Sequence, residues 1–308
     1  MTAHIREPRV SIIIVTYNSE LEVLSCLDSI LDQEIPCEVF VVDNDSSDGT
    51  KELLEEYARK YPEIKIILNS KNFGLAYANN QPMHLCKGEY ILILNPDTVV
   101  TDTIARLADY LDTHPDIGVV GPKGYFADGT PHLSAMHRWN LFNILLWRLG
   151  PYGVVRYFYD KFSVYKEDDV LYISGACLMI RRNIYLEIGG YDPNFFLTIE
   201  DVVDLCIRVK KKGYRVVFYP NAEIIHLGGR SHQSIPYVAM YYSYKGSLYF
   251  VKKYKGSFCA FVLRVLFVIG VAIKASSAFI LSYFLSKRYK RISEDNFKLA
   301  LVMLKGNL

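Results

Sequence analysis

Four short apolar runs, separated by helical patterns, constrain the fold of this chain more than any other feature. The runs are rich in β-branched residues, are too short for typical helices, and lie at residues 10–16, 38–43, 64–68 and 90–94. Such nearly continuous apolar runs are typical of buried parallel strands. Between them, apolar residues recur at helical spacing over residues 21–31, 50–61 and 75–86. This alternation predicts a doubly wound α/β sheet, mainly parallel and flanked by helices.

Polar residues stand directly after each of the four predicted strands. In a doubly wound sheet, ligands bind outside the carboxyl ends of the strands. One polar cluster alone is most simply a turn or a helix cap, but four on one edge favour a ligand site. No GxGxxG or GxxxxGK[ST] motif follows the first strand, which disfavours a Rossmann dinucleotide domain and a P-loop. The clusters are Thr16-Tyr17-Asn18, Asp43-Asn44-Asp45, Asn69 with Asn72 and Gly74, and Asn95-Pro96-Asp97.

A run of three acids, Glu200, Asp201 and Asp204, interrupts an otherwise apolar segment. Burying like charges together costs free energy and raises at least one pKa, so such a cluster indicates a site more often than a scaffold. If the segment from Asp201 is helical, Asp201 and Asp204 share a face. Arg208 then lies one turn beyond Asp204, which predicts an ion pair between them. The alternative is a solvated acidic helix start that the helix dipole favours.

Six motifs in a fixed order carry a resemblance to a known family. They are VTYN at 15–18, VVDNDSSDGT at 41–50, NFGLAYANN at 72–80, LNPDT at 94–98, SGACLMIRR at 174–182 and the acidic run. Together they resemble the family 2 inverting glycosyltransferases of GT-A fold, particularly the rhamnosyltransferase-like branch that acts on surface polysaccharides. The resemblance covers about residues 8–232. It implies a nucleotide-sugar donor, a divalent cation and one general base.

The resemblance places the nucleotide pocket at the first two strand ends. Asp43 would accept a hydrogen bond from the pyrimidine ring N–H, while Thr16, Tyr17 and Asn18 would line the base and ribose. Asp45 either supports that loop or caps the next helix.

The segment that contacts ribose and diphosphate in the family matches Asn72, Gly74 and Asn79. Glycine there permits close approach of the backbone to the ligand. For Asn79 and its neighbour Asn80, an ordinary exposed helix face is an equally good interpretation.

Asp97 is the expected metal ligand, because hard cations such as Mg²⁺ or Mn²⁺ prefer carboxylate oxygens together with substrate phosphates. The family pattern is often Asp-x-Asp, whereas this chain has Asn95-Pro96-Asp97, so Asn95 would be at most a weak neutral ligand. His226 follows a strand-like run at 214–220 and matches the family's late metal-binding histidine. The alternative for His226 is a satisfied core residue.

The resemblance gives the role of general base to the acidic run. A carboxylate must remove the proton from the acceptor hydroxyl while the anomeric carbon loses the nucleotide. Asp201 is the expected base and Glu200 the alternative, because one extra valine lengthens the usual Glu-Asp-x-Asp-Leu pattern. Residues 174–180 are predicted to form a strand, and the variable segment 124–169 is expected to select the acceptor.

The C-terminal part of the chain is basic and apolar. Residues 245–308 hold twelve Lys or Arg against two acids, so the overall charge of +2 leaves about −8 for residues 1–244. The apolar stretch 258–285 contains Arg264 and Lys274, each of which would cost about 2.5–3.5 kcal/mol at mid-depth in a spanning helix. Together with Ser282 they form a polar stripe, which favours a helix lying in the membrane interface. A helical lid or a dimer face is the alternative.

These patterns predict a GT-A nucleotide-sugar-binding and catalytic domain over 1–235 and a helical, membrane-associated tail over 236–308. The first residues lack signal-peptide features, and six cysteines without CxxC spacing indicate reduced thiols, so the expected location is the cytoplasmic face of the cell membrane. The expected partners are a nucleotide-sugar donor, a glycan or lipid-linked acceptor and the membrane surface. An oligomer is possible, and nucleic acid is disfavoured.

The expected function is sugar transfer, with rhamnose from dTDP-rhamnose as the first choice on resemblance alone. The alternatives are a non-catalytic nucleotide- or glycan-binding relative and an inert membrane scaffold.

Overall fold

A computed structural model of the chain describes residues 7–228, 236–282 and 287–305. The chain divides into two compact units. The N-terminal unit comprises Met1–Arg138 and Tyr159–Ser234, and the C-terminal unit comprises Trp139–Phe158 and Ile235–Leu308. The domain boundary near residue 235 stays a prediction.

The N-terminal unit is built on one large mixed sheet. Its order is β3-β2-β1-β4-β11-β6-β12-β5, with β7 paired to β6 and β9 to β12, while β8 and β10 form a separate pair. The strands are β1 Val10–Thr16, β2 Cys37–Asp43, β3 Ile64–Leu68, β4 Tyr90–Leu94, β5 Thr98–Val100, β6 Ile117–Phe126, β7 Pro131–His132, β8 Ala135–Met136, β9 Asp168–Asp169, β10 Tyr172–Ile173, β11 Cys177–Arg181 and β12 Arg215–His226. The four strands predicted from apolar runs are confirmed to within one residue.

Parallel pairing of the first strands aligns their carboxyl ends. All seven residues of β1 are buried, as expected for a strand covered on both faces. Its pairing with β2 places Thr16 opposite Asp43, and the pairing of β2 with β3 places Asp43 opposite Leu68. The polar residues after these strands therefore meet at one edge of the sheet.

Antiparallel β11 separates the parallel strands from the rest of the sheet, because it lies between β4 and β6. The prediction of a strand over 174–180 was wrong at its start, since β11 begins at Cys177. Ser174 lies outside β11 because its backbone N–H donates to the Ser134 carbonyl oxygen instead, at 2.7 Å.

Eight helices precede residue 228 in the described chain. They are α1 Val23–Leu31, α2 Thr50–Lys60, α3 Leu75–Asn80, α4 Thr103–Thr113, α5 Leu141–Leu149, α6 Tyr152–Phe162, α7 Arg182–Glu187 and α8 Glu200–Lys211. The prediction of a helix over 75–86 was wrong beyond Asn80. Pro82 lacks a backbone N–H and restricts the residue before it, so the chain turns there, with the Leu85 and Cys86 N–H groups donating to the Pro82 carbonyl.

The C-terminal unit contains three long helices, α9 Pro236–Lys255, α10 Ser257–Ser282 and α11 Lys287–Leu304. Gly256, at φ +87°, separates α9 from α10. One face of α10 is buried through Leu263, Phe267, Val271, Ala275 and Ala278. Within the described residues, α10 is the one helix long and apolar enough to cross a membrane, with mean hydropathy 2.3 and 22% of the window buried. Core helices of soluble proteins meet the same criterion.

Lys274, one of the two charges that interrupt α10, finds a partner inside the C-terminal unit. Its Nζ donates to the Arg148 carbonyl oxygen at the end of α5, at 2.8 Å. That hydrogen bond accounts for a cation in an apolar helix without requiring a membrane.

Candidate active site

Asp43, at the end of β2, is fully buried and its carboxylate is held by three hydrogen bonds. The Thr16 hydroxyl donates to Oδ2 at 2.9 Å, the Ser46 hydroxyl to Oδ2 at 2.5 Å and the Ser46 backbone N–H to Oδ1 at 2.9 Å. Buried carboxylates are stable when such donors surround them. Thr16 therefore orients Asp43, and the carboxylate is fixed at the edge where the strand ends meet.

Two residues with positive φ shape the loops beside Asp43. Asn18 has φ +52° and Asp45 has φ +71°, a region that Asn and Asp tolerate better than most residues. The Asn18 side-chain oxygen accepts a 2.8 Å hydrogen bond from the Ser47 N–H, which ties the β1 loop to the β2 loop. Asp45 is exposed and pairs with Lys51 of α2 at 3.3 Å, while Gly49 occupies the N-cap of α2. Tyr17 is half-buried beside Asn18.

An amide network holds the segment that follows β3. Asn44 donates to the Asn72 side-chain oxygen at 3.0 Å and accepts from Asn69 at 3.1 Å. Asn72 in turn accepts a 2.9 Å hydrogen bond from the Gly74 N–H. Asn72 thus acts through its side chain to position the backbone of Gly74.

Gly74 marks a close approach between this segment and the acidic run. It adopts φ +90°, and a Cβ there would lie 2.6 Å from Phe196 Cδ2 and 2.9 Å from Phe196 Cα. The next residue, Leu75, donates its N–H to the Phe196 carbonyl at 2.6 Å. Only glycine fits this position without strain.

Asn79 and Asn80 do not lie on an exposed helix face, so that interpretation of the pattern was wrong. Asn79 is buried and donates to the Leu75 carbonyl at 3.0 Å within α3. Asn80 donates to the Tyr191 carbonyl at 2.7 Å and accepts from the Tyr191 N–H at 2.8 Å. The side chain of Asn80 therefore anchors the turn that precedes the acidic run.

Asp97 and His226 meet because β5 pairs antiparallel with β12. The register puts Thr98 opposite His226, and the Leu227 N–H donates to the Asp97 carbonyl at 2.8 Å. His226 Nε2 lies 3.1 Å from Asp97 Oδ1, and both side chains are largely buried, at 12% and 13% exposed. Because Asp97 and His226 are far apart in the sequence, it is the pairing of β5 with β12 that brings their side chains together.

The two nitrogens of the His226 ring are buried without hydrogen bonds in the described chain. Neither Nδ1 nor Nε2 has a hydrogen-bond partner in the part of the chain that the structure describes, because the short contact with Asp97 lacks hydrogen-bond alignment. A carboxylate oxygen beside an imidazole nitrogen is a donor set that Mn²⁺ accepts. Within 7–228, 236–282 and 287–305, no group of three or more His, Cys, Asp or Glu residues forms a metal site. A cation at this pair would therefore need further oxygen ligands, which water or a substrate phosphate can supply.

Asn95 contacts the neighbouring strand through its backbone. Its N–H donates to the Ala176 carbonyl at 3.0 Å, and the Thr98 hydroxyl reaches the same oxygen at 3.3 Å. The Ala176 carbonyl thereby fixes both ends of the Asn95-Pro96-Asp97 turn.

His132 is a neighbour of this pair that sequence reasoning assigned only to the variable segment. Its ring lies against that of His226, with centroids 4.8 Å apart and an edge-to-face tilt of 67°. Burial, together with the proximity of the His226 ring, lowers the pKa of His132 to about 4. The ring is therefore neutral at physiological pH. No spacing in the sequence points to this contact, since it depends on β7 pairing with β6.

The three acids of the run begin α8, and all three are buried. The prediction of an ion pair is confirmed, because Arg208 Nε donates to Asp204 Oδ2 at 2.7 Å. Thr198 donates its hydroxyl to Glu200. The interpretation as a solvated helix start was wrong, since water does not reach these carboxylates.

Asp201 has the most perturbed environment of the three. It is 1% exposed, and its Oδ1 accepts a 2.6 Å hydrogen bond from the Val202 N–H. Its Oδ2 is buried with no hydrogen-bond partner among the described residues. Burial, reinforced by the charges of Glu200 and Asp204, raises the pKa of Asp201 to about 8. A carboxyl group with a pKa in this range exchanges protons near neutral pH.

Gly175 lies close to α8, and the next residue, Ala176, contacts the Asn95-Pro96-Asp97 turn. A Cβ at Gly175 would lie 3.1 Å from Val202 Cγ2, and the next carbonyl, that of Ala176, accepts from Asn95. The small residues before β11 thus allow α8 to approach the strand ends. The structure brings together a buried acid, a carboxylate–imidazole pair and a fixed aspartate on one sheet edge.

Comparison with known proteins finds relatives that match most of the N-terminal unit. The family model described as Glycosyl transferase family 2 matches residues 11–189. The chain is 28% identical over 238 residues to the N-acetylglucosaminyl-diphospho-decaprenol L-rhamnosyltransferase of Mycobacterium tuberculosis, covering 70% of this chain and 75% of that protein. It is 32% identical over 124 residues to the minor teichoic acid biosynthesis protein GgaB of Bacillus subtilis, covering 39% of this chain and 14% of that protein.

Solved structures with a similar fold include enzymes bound to nucleotide sugars. The mannosyltransferase PcManGT of Pyrobaculum calidifontis, in complex with GDP-Man and Mn²⁺, has a TM-score of 0.51 at 19% identity, covering 98% of this chain and 87% of that one. GalNAc-T7 with UDP, GalNAc and Mn²⁺ has a TM-score of 0.56 at 18% identity, covering 72% of this chain and 44% of that one. At these identities the likeness shows the shared GT-A fold alone.

Proposed function

The chain belongs to glycosyl transferase family 2 and is a glycosyltransferase, and we propose that it transfers a sugar from a nucleotide donor to a lipid-linked or surface-polysaccharide acceptor, with inversion at the anomeric carbon. The proposed donor is dTDP-rhamnose, and the proposed transferred sugar is rhamnose. The support for that choice is the 28% identity to the mycobacterial L-rhamnosyltransferase over 238 residues. The relatives also connect the chain with the synthesis of cell-envelope glycans.

The buried, unsatisfied Oδ2 of Asp201 is the observation that carries the proposal. Burial keeps a carboxylate from being solvated, so the ionised form of Asp201 is a stronger base than an exposed aspartate. In the proposed reaction Asp201 takes the proton of the acceptor hydroxyl. The hydroxyl oxygen bonds to the anomeric carbon from the face opposite the nucleotide, and the bond from that carbon to the diphosphate oxygen breaks. Glu200, held by Thr198, is the alternative base.

Asp43 is proposed to receive the pyrimidine ring N–H of the donor. Its carboxylate is already oriented by Thr16 and Ser46, so donor binding requires no rearrangement of this side chain. Tyr17, Asn18, Asp45, Asn72, Gly74, Asn79 and Asn95 are proposed to complete the donor site, with Asn72 and Asn79 acting through the backbone that they hold.

Asp97 and His226 are proposed to hold a divalent cation, Mg²⁺ or Mn²⁺. The fit rests on the donor set: a carboxylate oxygen 3.1 Å from an imidazole nitrogen that makes no hydrogen bond in the described chain. When bound, the cation would offset the negative charge of the donor diphosphate. His132, neutral against the His226 ring, would orient that ring without adding charge.

We also propose that the protein works at the cytoplasmic face of the cell membrane. The C-terminal unit supplies the support, because α10 leaves large apolar side chains exposed, including Phe258 at 78% and Ile273 at 61%. Basic residues flank this helix on both sides, which suits an anionic surface.

Two measurements test the transfer reaction. Calorimetric titration with dTDP, UDP and GDP, each with and without Mn²⁺, is expected to show metal-dependent binding of one nucleotide. Asp201→Asn should retain that binding and lose sugar transfer, whereas Glu200→Gln, the matched neighbour, should retain most transfer. Unchanged transfer in Asp201→Asn would refute the assignment of the base. Absence of binding to every nucleotide would refute the proposed donor site.

A further inference from the structure

A groove in the C-terminal unit combines three cations with an apolar floor. It has a volume of about 370 Å³. From α9 it is lined by Lys245, Leu248, Tyr249 and Lys252, and from α10 by Ser257, Ala260, Phe261 and Arg264. Both sets have the spacing i, i+3, i+4, i+7, so each set occupies one face of its helix. Two matching helix faces, joined through Gly256, thus form the walls of the groove.

The two helices that form the groove carry no acid in their sequence. Residues 236–282 contain six Lys or Arg and no Asp or Glu, and Lys245, Lys252 and Arg264 are three of the six. Lys245 and Lys252 are exposed, while Arg264 is half-buried. Three cations around one groove attract a ligand with at least one negative charge, and guanidinium and ammonium groups both bind phosphate.

The apolar part of the groove selects among anionic ligands. Leu248 is 5% exposed and forms part of the floor, and Phe261 is 63% exposed at the edge. Beside the groove, α10 also exposes the apolar side chains of Phe258 and Ile269. A free inorganic anion gains nothing from such a surface, whereas a lipid gains from the burial of its chains.

We propose that this groove binds the phosphate headgroup of an anionic membrane phospholipid, with the acyl chains lying along the exposed apolar side of α10. The groove shares no residue with the proposed sugar-transfer site, and the inference rests on the proposed membrane association but not on the transfer reaction. Binding at this groove differs from general attraction to a charged membrane, because it depends on three particular basic residues and on a defined groove.

Two triple variants of equal charge test the site in the full-length protein. The groove variant is Lys245→Gln, Lys252→Gln, Arg264→Gln. The control, Lys255→Gln, Lys290→Gln, Lys298→Gln, removes three exposed cations of the same unit that do not line the groove. Binding is measured by cosedimentation with vesicles of phosphatidylcholine, with and without phosphatidylglycerol, and circular dichroism verifies that each variant is folded.

The groove variant is expected to lose at least about 100-fold in affinity for vesicles containing phosphatidylglycerol, because it loses direct charge-assisted contacts with the phosphate, whereas the control loses only screened attraction to the membrane surface. The control should lose at most a few-fold. Equal losses in both variants would overturn the proposal and favour diffuse electrostatic attraction.

Calorimetry with dihexanoyl phosphatidylglycerol, below its micelle concentration, separates a lipid site from an ion site. Saturable binding at one site per chain is expected, with no binding of dihexanoyl phosphatidylcholine and much weaker binding of inorganic phosphate. Inorganic phosphate that binds as tightly as the lipid would overturn the lipid assignment. Nucleotide binding in the groove variant is expected to remain unchanged, so failure of this site is distinguishable from failure of the proposed donor site.

Discussion

Replacing Asp201 with Asn is expected to stabilise the protein in a pH-dependent way while it abolishes transfer. The pKa of Asp201 is raised from 3.8 to about 8 by burial and by the neighbouring carboxylates. Between these two values the folded protein keeps the proton on Asp201, and the unfolded chain releases it. The unfolded state then binds fewer protons, so the free energy of unfolding falls as the pH rises.

The magnitude follows from the size of the pKa difference. Each pH unit between about 4 and 8 lowers the free energy of unfolding by about 1.36 kcal/mol through this one group. Asparagine has no proton to lose and resembles the protonated acid in shape. The stability of Asp201→Asn relative to the natural protein is therefore expected to increase by roughly 3 kcal/mol between pH 5 and pH 7.

The assay is urea unfolding at several pH values, followed by far-ultraviolet circular dichroism. Tryptophan fluorescence does not serve here, because the two tryptophans, Trp139 and Trp147, both lie in the C-terminal unit. Glu55→Gln, which removes an exposed carboxylate on α2, is the matched control. Effects of pH on groups that do not interact with Asp201 cancel in the difference between variant and natural protein.

A difference in stability that stays constant from pH 5 to pH 7 would refute the reasoning, since it would mean that Asp201 ionises normally in the folded protein. The rate of transfer gives an independent readout. If ionised Asp201 is the base, the rate in the natural protein should rise with pH up to about 8.

Three further substitutions test the geometry of the site. Gly74→Ala is expected to cost about 1–3 kcal/mol in urea unfolding, because its Cβ would lie 2.6 Å from Phe196 at φ +90°; a cost near zero would contradict the close approach. Asp204→Ala should cost about 3–5 kcal/mol in thermal unfolding by leaving Arg208 without its carboxylate, and a simultaneous Arg208→Met should recover part of the loss. Asp43→Asn should weaken nucleotide binding at least tenfold by calorimetry with the fold intact; unchanged affinity would remove Asp43 from the donor site.

Local patterns were sufficient to locate the parallel strands and the polar residues that follow them. The strand from Tyr90 to Leu94 is apolar at every position, and the turn after it holds Asp97. Residues that are neighbours in the sequence are therefore enough to predict both the strand and the site residue. The spacing of Asp204 and Arg208 likewise predicts an ion pair, because four residues make one helical turn.

Contacts between distant segments were not predictable in this way. Nothing in the spacing of the sequence shows that β11 inserts antiparallel between β4 and β6, or that His132 lies against His226. The burial of Asn79 was missed for the same reason, since a helix face is exposed or covered according to what packs on it.

The sequence by itself determined which residues form strands, which polar groups follow them and how charge divides along the chain, because propensity, turn chemistry and net charge are properties of neighbouring residues. Only the tertiary structure decided that Asp97 meets His226 and that the carboxylate of Asp201 is removed from water. The physical reason is that ligand geometry and desolvation depend on segments more than a hundred residues apart in the chain, and the pairing of β5 with β12 and the packing of α8 bring them together.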